Sequence, residues 1–167
     1  MKLSRIVPKY FRSFGKEQEF KLPPPGLYHL SGANGVGKTT LFEAPYWCLF
    51  GKTTNNLKAS NIANWSHPSD CNVLIDITAF NTKHSVYRSW KPNGLWLDEV
   101  EVDQVTLERK LGLTPETFMY GRYFTQKTDH FLDLKPEAKL SMLVELLRLQ
   151  LWDKAAWSRA RRSLSDH

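Results

Sequence analysis

Hydrophobic and polar positions at the start of the chain predict two strands, residues 3–10 and 17–22, joined by a turn around Phe14-Gly15. Pro23-Pro24-Pro25-Gly26 then imposes a stiff connection, and Leu27-Tyr28-His29-Leu30 reads as a short buried strand. Residues 41–50 are apolar enough for a buried helix ending at Gly51. Residues 52–70 carry Thr, Asn, Ser, Lys and one Pro with little periodicity, so a loop is predicted, with one helical turn near residues 60–65.

From Asn72 onward the pattern alternates: Val73, Ile75 and Ile77 share one face, residues 85–90 follow, and residues 95–97 come after Pro92-Asn93-Gly94. An antiparallel meander fits this spacing. Short helices are predicted over residues 105–111 and 115–120, separated by Gly112, and an extended segment over residues 122–126. Pro136 suits a first helical turn, and Leu140, Leu143, Val144, Leu147 and Leu151 follow at helical spacing, continued by Trp152 and Trp157 toward Arg159, Arg161 and Arg162. Pro45 falls inside the first predicted helix, where it removes one N–H bond, so a kink is expected there.

Composition narrows the class. The 167 residues are 41% hydrophobic and 13% aromatic, which argues for a packed domain rather than disorder. No apolar run approaches the roughly 18 residues of a membrane span, and the N-terminus lacks a signal-peptide core, so a soluble intracellular protein is expected. Cys48 and Cys71 show neither metal-ligand spacing nor a disulfide framework and read as buried thiols. The net charge of +6 is compatible with a polyanionic partner, yet the basic residues are scattered until Arg159.

The chemistry lies at residues 32–39, Gly-Ala-Asn-Gly-Val-Gly-Lys-Thr, a full match to G-x-x-x-x-G-K-[ST] between a predicted strand and a predicted helix. A polyphosphate must be wrapped by successive backbone N–H groups, which Gly32, Gly35 and Gly37 permit, with Ala33, Asn34 and Val36 completing the turn. The following helix directs unpaired N–H groups and its positive dipole end at the same anion, Lys38 adds a charge between β- and γ-phosphates, Thr39 offers a hydroxyl to Mg²⁺, and Thr40 reaches the α-phosphate. ATP and Mg²⁺ are the implied cofactors.

Such an enzyme also needs an acidic site for the metal, normally after an apolar strand. Asp76 follows Val73-Leu74-Ile75 but precedes Ile77 in an alternating strand. Asp98-Glu99 carries both acids, but Pro92-Asn93-Gly94 marks a tight turn into a hairpin. Two readings stay open here: an NTPase completed by another polypeptide segment, and a self-contained P-loop kinase using Asp98 and Glu99 with Arg122 over the charge. A DNA- or partner-binding module with a purely structural phosphate loop is a third.

The chain resembles the N-terminal half of the ATPase head of SbcC-type proteins, the SMC-like ATPases of double-strand-break repair, including the phage recombination-endonuclease subunits. The resemblance rests on Tyr10-Phe11-Arg12-Ser13-Phe14, on residues 32–40, on Leu49-Phe50-Gly51, on Val86-Tyr87-Arg88, on Phe124-Thr125-Gln126 with Phe131-Leu132, and on Pro136-Glu137-Ala138-Lys139 leading into Leu146-Leu147. It implies an α/β P-loop NTPase of ABC/SMC head type, with an antiparallel meander and a mixed sheet in residues 1–150, and the root of a coiled coil in residues 151–167. It further implies phosphate binding by Lys38, Mg²⁺ binding by Thr39 and Gln126, γ-phosphate sensing by Gln126, nucleotide contacts by Arg12, Ser13 and Asn34, and a base contact by Ile62. The implied partners are the C-terminal half of the same head, a second head in a homodimer, an SbcD-type nuclease subunit and DNA, with no membrane. A cytoplasmic site is expected, nucleoid-associated or in a phage-infected cell for a prokaryotic protein, nuclear for a eukaryotic one. SMC, RecN and RecF relatives share the same loop logic.

Overall fold

Alternation along one strand sets the sheet. In the computed structural model, which describes residues 1–55, 57, 61–121 and 135–146, the side chains of Cys71, Val73, Ile75, Ile77 and Ala79 all face the buried side of β3 (Cys71–Ala79). β3 lies between β1 (Lys2–Lys9) and β4 (Thr82–Trp90); β2 (Phe20–Lys21) pairs with the outer side of β1, and β5 (Gly94–Leu97) and β6 (Val100–Glu101) continue from β4. The order is β2-β1-β3-β4-β5-β6 and each of these pairings is antiparallel.

Register follows from the buried face. Ile6 stands opposite Ile75, Ile75 opposite Val86, and Val86 opposite Leu97, giving a buried aliphatic row across four strands. A one-residue slip would turn that row to solvent. The opposite face is half-covered, with Leu74, Tyr87 and Trp96 in line and the last two rings 5.3 Å apart. Two tight turns close the meander, Phe80-Asn81 and Asp98-Glu99, and all four residues adopt positive φ. That is the geometry of two-residue hairpin turns matched to strand twist.

Helix α1 (Lys38–Phe50) packs on β1, β3 and β4, and every residue from Glu43 to Phe50 is buried. A helix covered on all sides needs no polar face, which is why it is apolar almost throughout. It runs through Pro45 without interruption and stops at Gly51. Helix α2 (Gln104–Leu111) begins where the Asp103 carboxylate accepts from the Thr106 N–H at 2.7 Å and buries Leu107 and Leu111.

The chain divides into two compact units, Met1–Gly112 and Leu113–His167. In the second, α3 (Pro115–Gly121) starts at a reciprocal cap: Thr117 N–H donates to Thr114 Oγ1 at 3.2 Å, and Thr114 N–H to Thr117 Oγ1 at 2.9 Å. It packs against α4 (Pro136–Leu146), which begins at Pro136 as the sequence predicts. Met142 is buried in α4, whereas Leu140 and Leu143 are exposed, so these two members of the predicted leucine stripe do not form core. Val144 is half-buried, and the extended segment at 122–126, the stripe from Leu147 onward and the coiled-coil root at 151–167 lie outside the described residues.

The α/β architecture, the opening strand pair, the meander and the first three helices agree with the sequence. One expectation does not hold. Residues 26–30 form no strand, and Leu27 is 101% exposed with Tyr28 and Leu30 also open. Among the described residues the expected mixed sheet therefore has no parallel pairing. Apolar content signals a preference for burial, but a strand also needs a neighbour for its N–H and C=O groups, and no described strand pairs with this segment. The helical turn expected near 60–65 is present in part: Asn61 is in a 3₁₀ turn, Ser60 is outside the described residues, and Ala63 makes an isolated antiparallel bridge with Phe11.

Candidate functional site

The phosphate loop forms as its glycines require. Gly35 has φ 85° and Gly37 φ 101°, and a Cβ on Gly37 would lie 2.9 Å from Ser13 Oγ and 3.2 Å from the Phe14 ring. Gly37 is thus demanded both by its backbone conformation and by the corner packed against it. It is also the N-cap of α1, with no side-chain hydrogen bond to the cap and no acidic residue in the first turn. The leading N–H groups of a buried helix are left without side-chain acceptors, which is the condition for binding an anion.

Around that helix end the structure assembles most of the predicted residues. Lys38 folds back so that Nζ donates to the carbonyls of Gly32 at 2.7 Å and Ala33 at 2.8 Å, spanning the loop from inside. Gly32, Asn34, Gly35, Val36 and Thr39 are exposed, and Lys38 is half-buried. Thr40 is buried and its Oγ1 accepts from Ser13 Oγ at 2.9 Å, which ties the N-terminal strand's exit to the helix.

Arg12 precedes Ser13 in a left-handed conformation, φ 50°. Its N–H donates to the Ile62 carbonyl at 2.8 Å, and its guanidinium Nη1 is buried with no hydrogen-bond partner among the described residues. A buried, unpartnered cationic nitrogen is costly and suits an anion that fills the site. Ile62 is adjacent, but its side chain is 4% exposed and belongs to the core; what it offers here is its carbonyl. Gln126 and Arg122 lie outside the described residues.

These residues fit ATP. The metal fits less completely: Thr39 presents its hydroxyl, but no cluster of three or more His, Cys, Asp or Glu side chains exists among the described residues. Both acidic alternatives are engaged elsewhere. Asp76 accepts from Arg5 Nε at 2.7 Å and from Ser85 Oγ at 3.0 Å. Asp98 sits in the hairpin turn, one oxygen taken by Ser85 N–H and the other by His84 Nδ1, each at 2.8 Å. Burial pushes the Asp98 pKa up, but the bonds from His84 and Ser85 outweigh it and hold the carboxyl below its ordinary range.

Three residues outside the motif also matter. Glu43, one turn into α1 and 2% exposed, accepts from Thr54 N–H at 3.2 Å and from the Thr54 hydroxyl, fastening the following loop. An acid inside an apolar helix was the signal for it. Arg88 donates to the Cys48 carbonyl at 2.8 Å, the Leu49 carbonyl at 3.3 Å and Gln104 Oε1 at 2.6 Å, closing the C-terminal end of α1. Asn64, 4% exposed, donates from Nδ2 to the Arg12 carbonyl at 2.6 Å. Neither of these contacts has a local sequence signal. Cys48 and Cys71 are free, buried thiols, with burial pushing both pKa values up to about 12, so neither is a nucleophile at neutral pH. No helix among the described residues is long and apolar enough to cross a membrane.

Comparison with known proteins agrees with this geometry. The AAA domain family model matches residues 5–140. Exonuclease subunit 2 of Escherichia phage RB69 is 33% identical over 79 residues, 47% of this chain and 14% of that protein. The DNA double-strand break repair Rad50 ATPase of Methanocaldococcus jannaschii is 25% identical over 141 residues, 77% of this chain and 14% of that protein. The chain thus spans about a seventh of the length of these curated relatives. A solved structure from work on ATP-driven dimerization and DNA-stimulated activation of SMC ATPases superposes with a TM-score of 0.67 at 15% identity, covering 87% of this chain and 99% of that one, a likeness of fold. The chain belongs to the AAA domain family, as the N-terminal half of an SMC-like, SbcC-type ATPase head.

Proposed function

We propose that this chain is the ATP-binding half of an SbcC-like ATPase that couples head dimerisation and ATP hydrolysis to the binding and processing of DNA ends by a partner nuclease. The observation that carries the ATP reading is the α1 N-terminus: a left-handed Gly37 cap with no side-chain bond, Lys38 spanning the loop, and the orphaned Arg12 Nη1 beside Ser13. Lys38 and the leading amides would take the β- and γ-phosphates, and Arg12 and Ser13 the nucleotide's other side, with Asn34 on the loop. Thr39, with Gln126, would hold Mg²⁺, which when bound shields charge on the triphosphate.

Completion by a second polypeptide segment is supported by the uncovered Leu27, Tyr28 and Leu30 directly before the loop and by the engagement of Asp76 and Asp98 elsewhere. The same engagement argues against a self-contained kinase, because each carboxylate oxygen of Asp98 already accepts a hydrogen bond within its own hairpin. The names of the phage and archaeal relatives, an exonuclease subunit and a double-strand break repair ATPase, support DNA-end work beside a nuclease, and the proposed partners are that nuclease, the C-terminal half of the head and a second head.

Nucleotide titration tests the reading. The 167-residue chain should bind Mg-ATP weakly and turn over little, and Lys38→Ala should weaken binding about 10- to 100-fold, the range for losing hydrogen bonds to a charged group. Robust hydrolysis by this chain alone, or wild-type affinity in Lys38→Ala, would defeat it.

A further inference from the structure

We propose that Asn64 is a positioning residue for the nucleotide: it acts through the Arg12–Ser13 corner, holding that corner in the left-handed conformation in which Ser13 meets Thr40 and Gly37. The inference rests on the nucleotide reading given above.

The corner needs locking. Tyr10 and Arg12 both hold positive φ, 49° and 50°, a region that non-glycine residues keep only when their surroundings over-determine it. Three hydrogen bonds do so, all from one short stretch: Arg12 N–H to the Ile62 carbonyl at 2.8 Å, Asn64 N–H to the Tyr10 carbonyl at 2.7 Å, and Asn64 Nδ2 to the Arg12 carbonyl at 2.6 Å. Asn64 therefore grips both flanks of the strained pair, one with its main chain and one with its side chain. Between them Phe11 bridges Ala63 and is fully buried.

The amide is itself oriented. Asn64 Oδ1 accepts from Ser66 N–H at 3.0 Å and from the Ser66 hydroxyl, so the NH₂ end is the one turned to Arg12. Beyond the corner, Ser13 Oγ reaches Thr40 at 2.9 Å and bounds the space over Gly37, while Arg12 Nη1 stays buried and unpartnered among the described residues. Three main-chain groups of the corner are thus tied, whereas the buried Nη1 of its charged head lacks a partner among the described residues. Only a side chain of this length with a donor at one end and an acceptor at the other satisfies both sides. Aspartate keeps the acceptor and the size but sets a carboxylate oxygen against the Arg12 carbonyl.

The test is a double-mutant cycle on the 167-residue chain, titrated with a fluorescent ATP analogue and Mg²⁺, with thermal melts to confirm folding. Asn64→Asp should weaken binding about tenfold, Arg12→Ala by a similar factor, and the double variant no more than Arg12→Ala alone. Ser66→Ala, which removes one of the two bonds that orient the amide, gives a second route and should weaken binding about twofold, again only when Arg12 is present. Wild-type affinity in both Asn64→Asp and Ser66→Ala, or equal losses with and without Arg12, would overturn the inference while leaving the nucleotide reading intact. Wild-type affinity in Lys38→Ala would instead defeat that reading, and this inference with it.

Discussion

The two ends of α1 are finished in opposite ways. At the C-terminal end Gly51 N–H returns to the Trp47 carbonyl at 2.8 Å, Arg88 takes the Cys48 and Leu49 carbonyls, and Gln104 Nε2 takes Leu49 again at 3.0 Å. At the N-terminal end the cap is a glycine with no side-chain bond, and the loop before it is exposed. Helix termini leave four backbone groups each without an intrahelical partner. Here several acceptors at one end are satisfied within the fold, and the donors at the other end are kept for a ligand. Stability and function are thus assigned to different ends of one helix, and the substitutions below separate them.

The largest effect should come from Arg88→Ala. It strips the hydrogen bond from the Cys48 carbonyl, leaves the Leu49 carbonyl with Gln104 Nε2 only, and leaves Gln104 Oε1 without its Arg88 donor, so we expect a loss of about 3 kcal/mol in urea unfolding, the order for leaving buried polar groups unpaired. Nucleotide affinity of the folded fraction should be unchanged. A parallel loss of affinity would break the division between the two ends.

Gly37→Ala should act at both levels. A left-handed alanine costs about 1–2 kcal/mol before its Cβ meets Ser13 Oγ and the Phe14 ring, so thermal unfolding should shift down modestly and Mg-ATP binding should fall in titration. Retained affinity at lowered stability would mean that the cap is structural only.

Asp98→Asn should do least. The pair with His84 is exposed, so we expect less than about 1 kcal/mol and no change in nucleotide binding. Because the Asp98 carboxyl lies below its ordinary value of 3.8, it contributes stability above that pH and loses it as pH falls through the depressed value. The gap in melting temperature between wild type and Asp98→Asn should therefore be present at neutral pH and close under acid. A loss of Mg²⁺-dependent nucleotide binding in this variant would reopen the kinase reading.

Local chemistry was legible in the sequence and non-local chemistry was not. Residues 32–39 announce their loop because each glycine, the lysine and the threonine act within one turn. The meander was readable because period-two alternation is itself the register signal, as in Val73, Ile75 and Ile77. Leu27-Tyr28-His29-Leu30 misled because an apolar run reports what a segment prefers, and says nothing of whether a neighbouring strand exists. Arg88 and Asn64 were invisible as a cap and a lock because their partners are 40 and 52 residues away in the chain. Ile62 shows a third limit: the resemblance implied a base contact, whereas its buried side chain and its carbonyl bond to Arg12 N–H could be read only from the structure.

The most direct measurement is amide NMR of the 167-residue chain during addition of Mg-ATP. We expect the N–H signals of Gly35, Gly37, Lys38, Thr39 and Thr40 to move, followed by those of Arg12 and Ser13, while Gly51 at the closed end and Asp98 and Glu99 in the hairpin stay in place. Shifts centred on Asp98 and Glu99, or a motionless Gly35–Thr40 loop at saturating nucleotide, would contradict the assignment of the open α1 terminus as the triphosphate site.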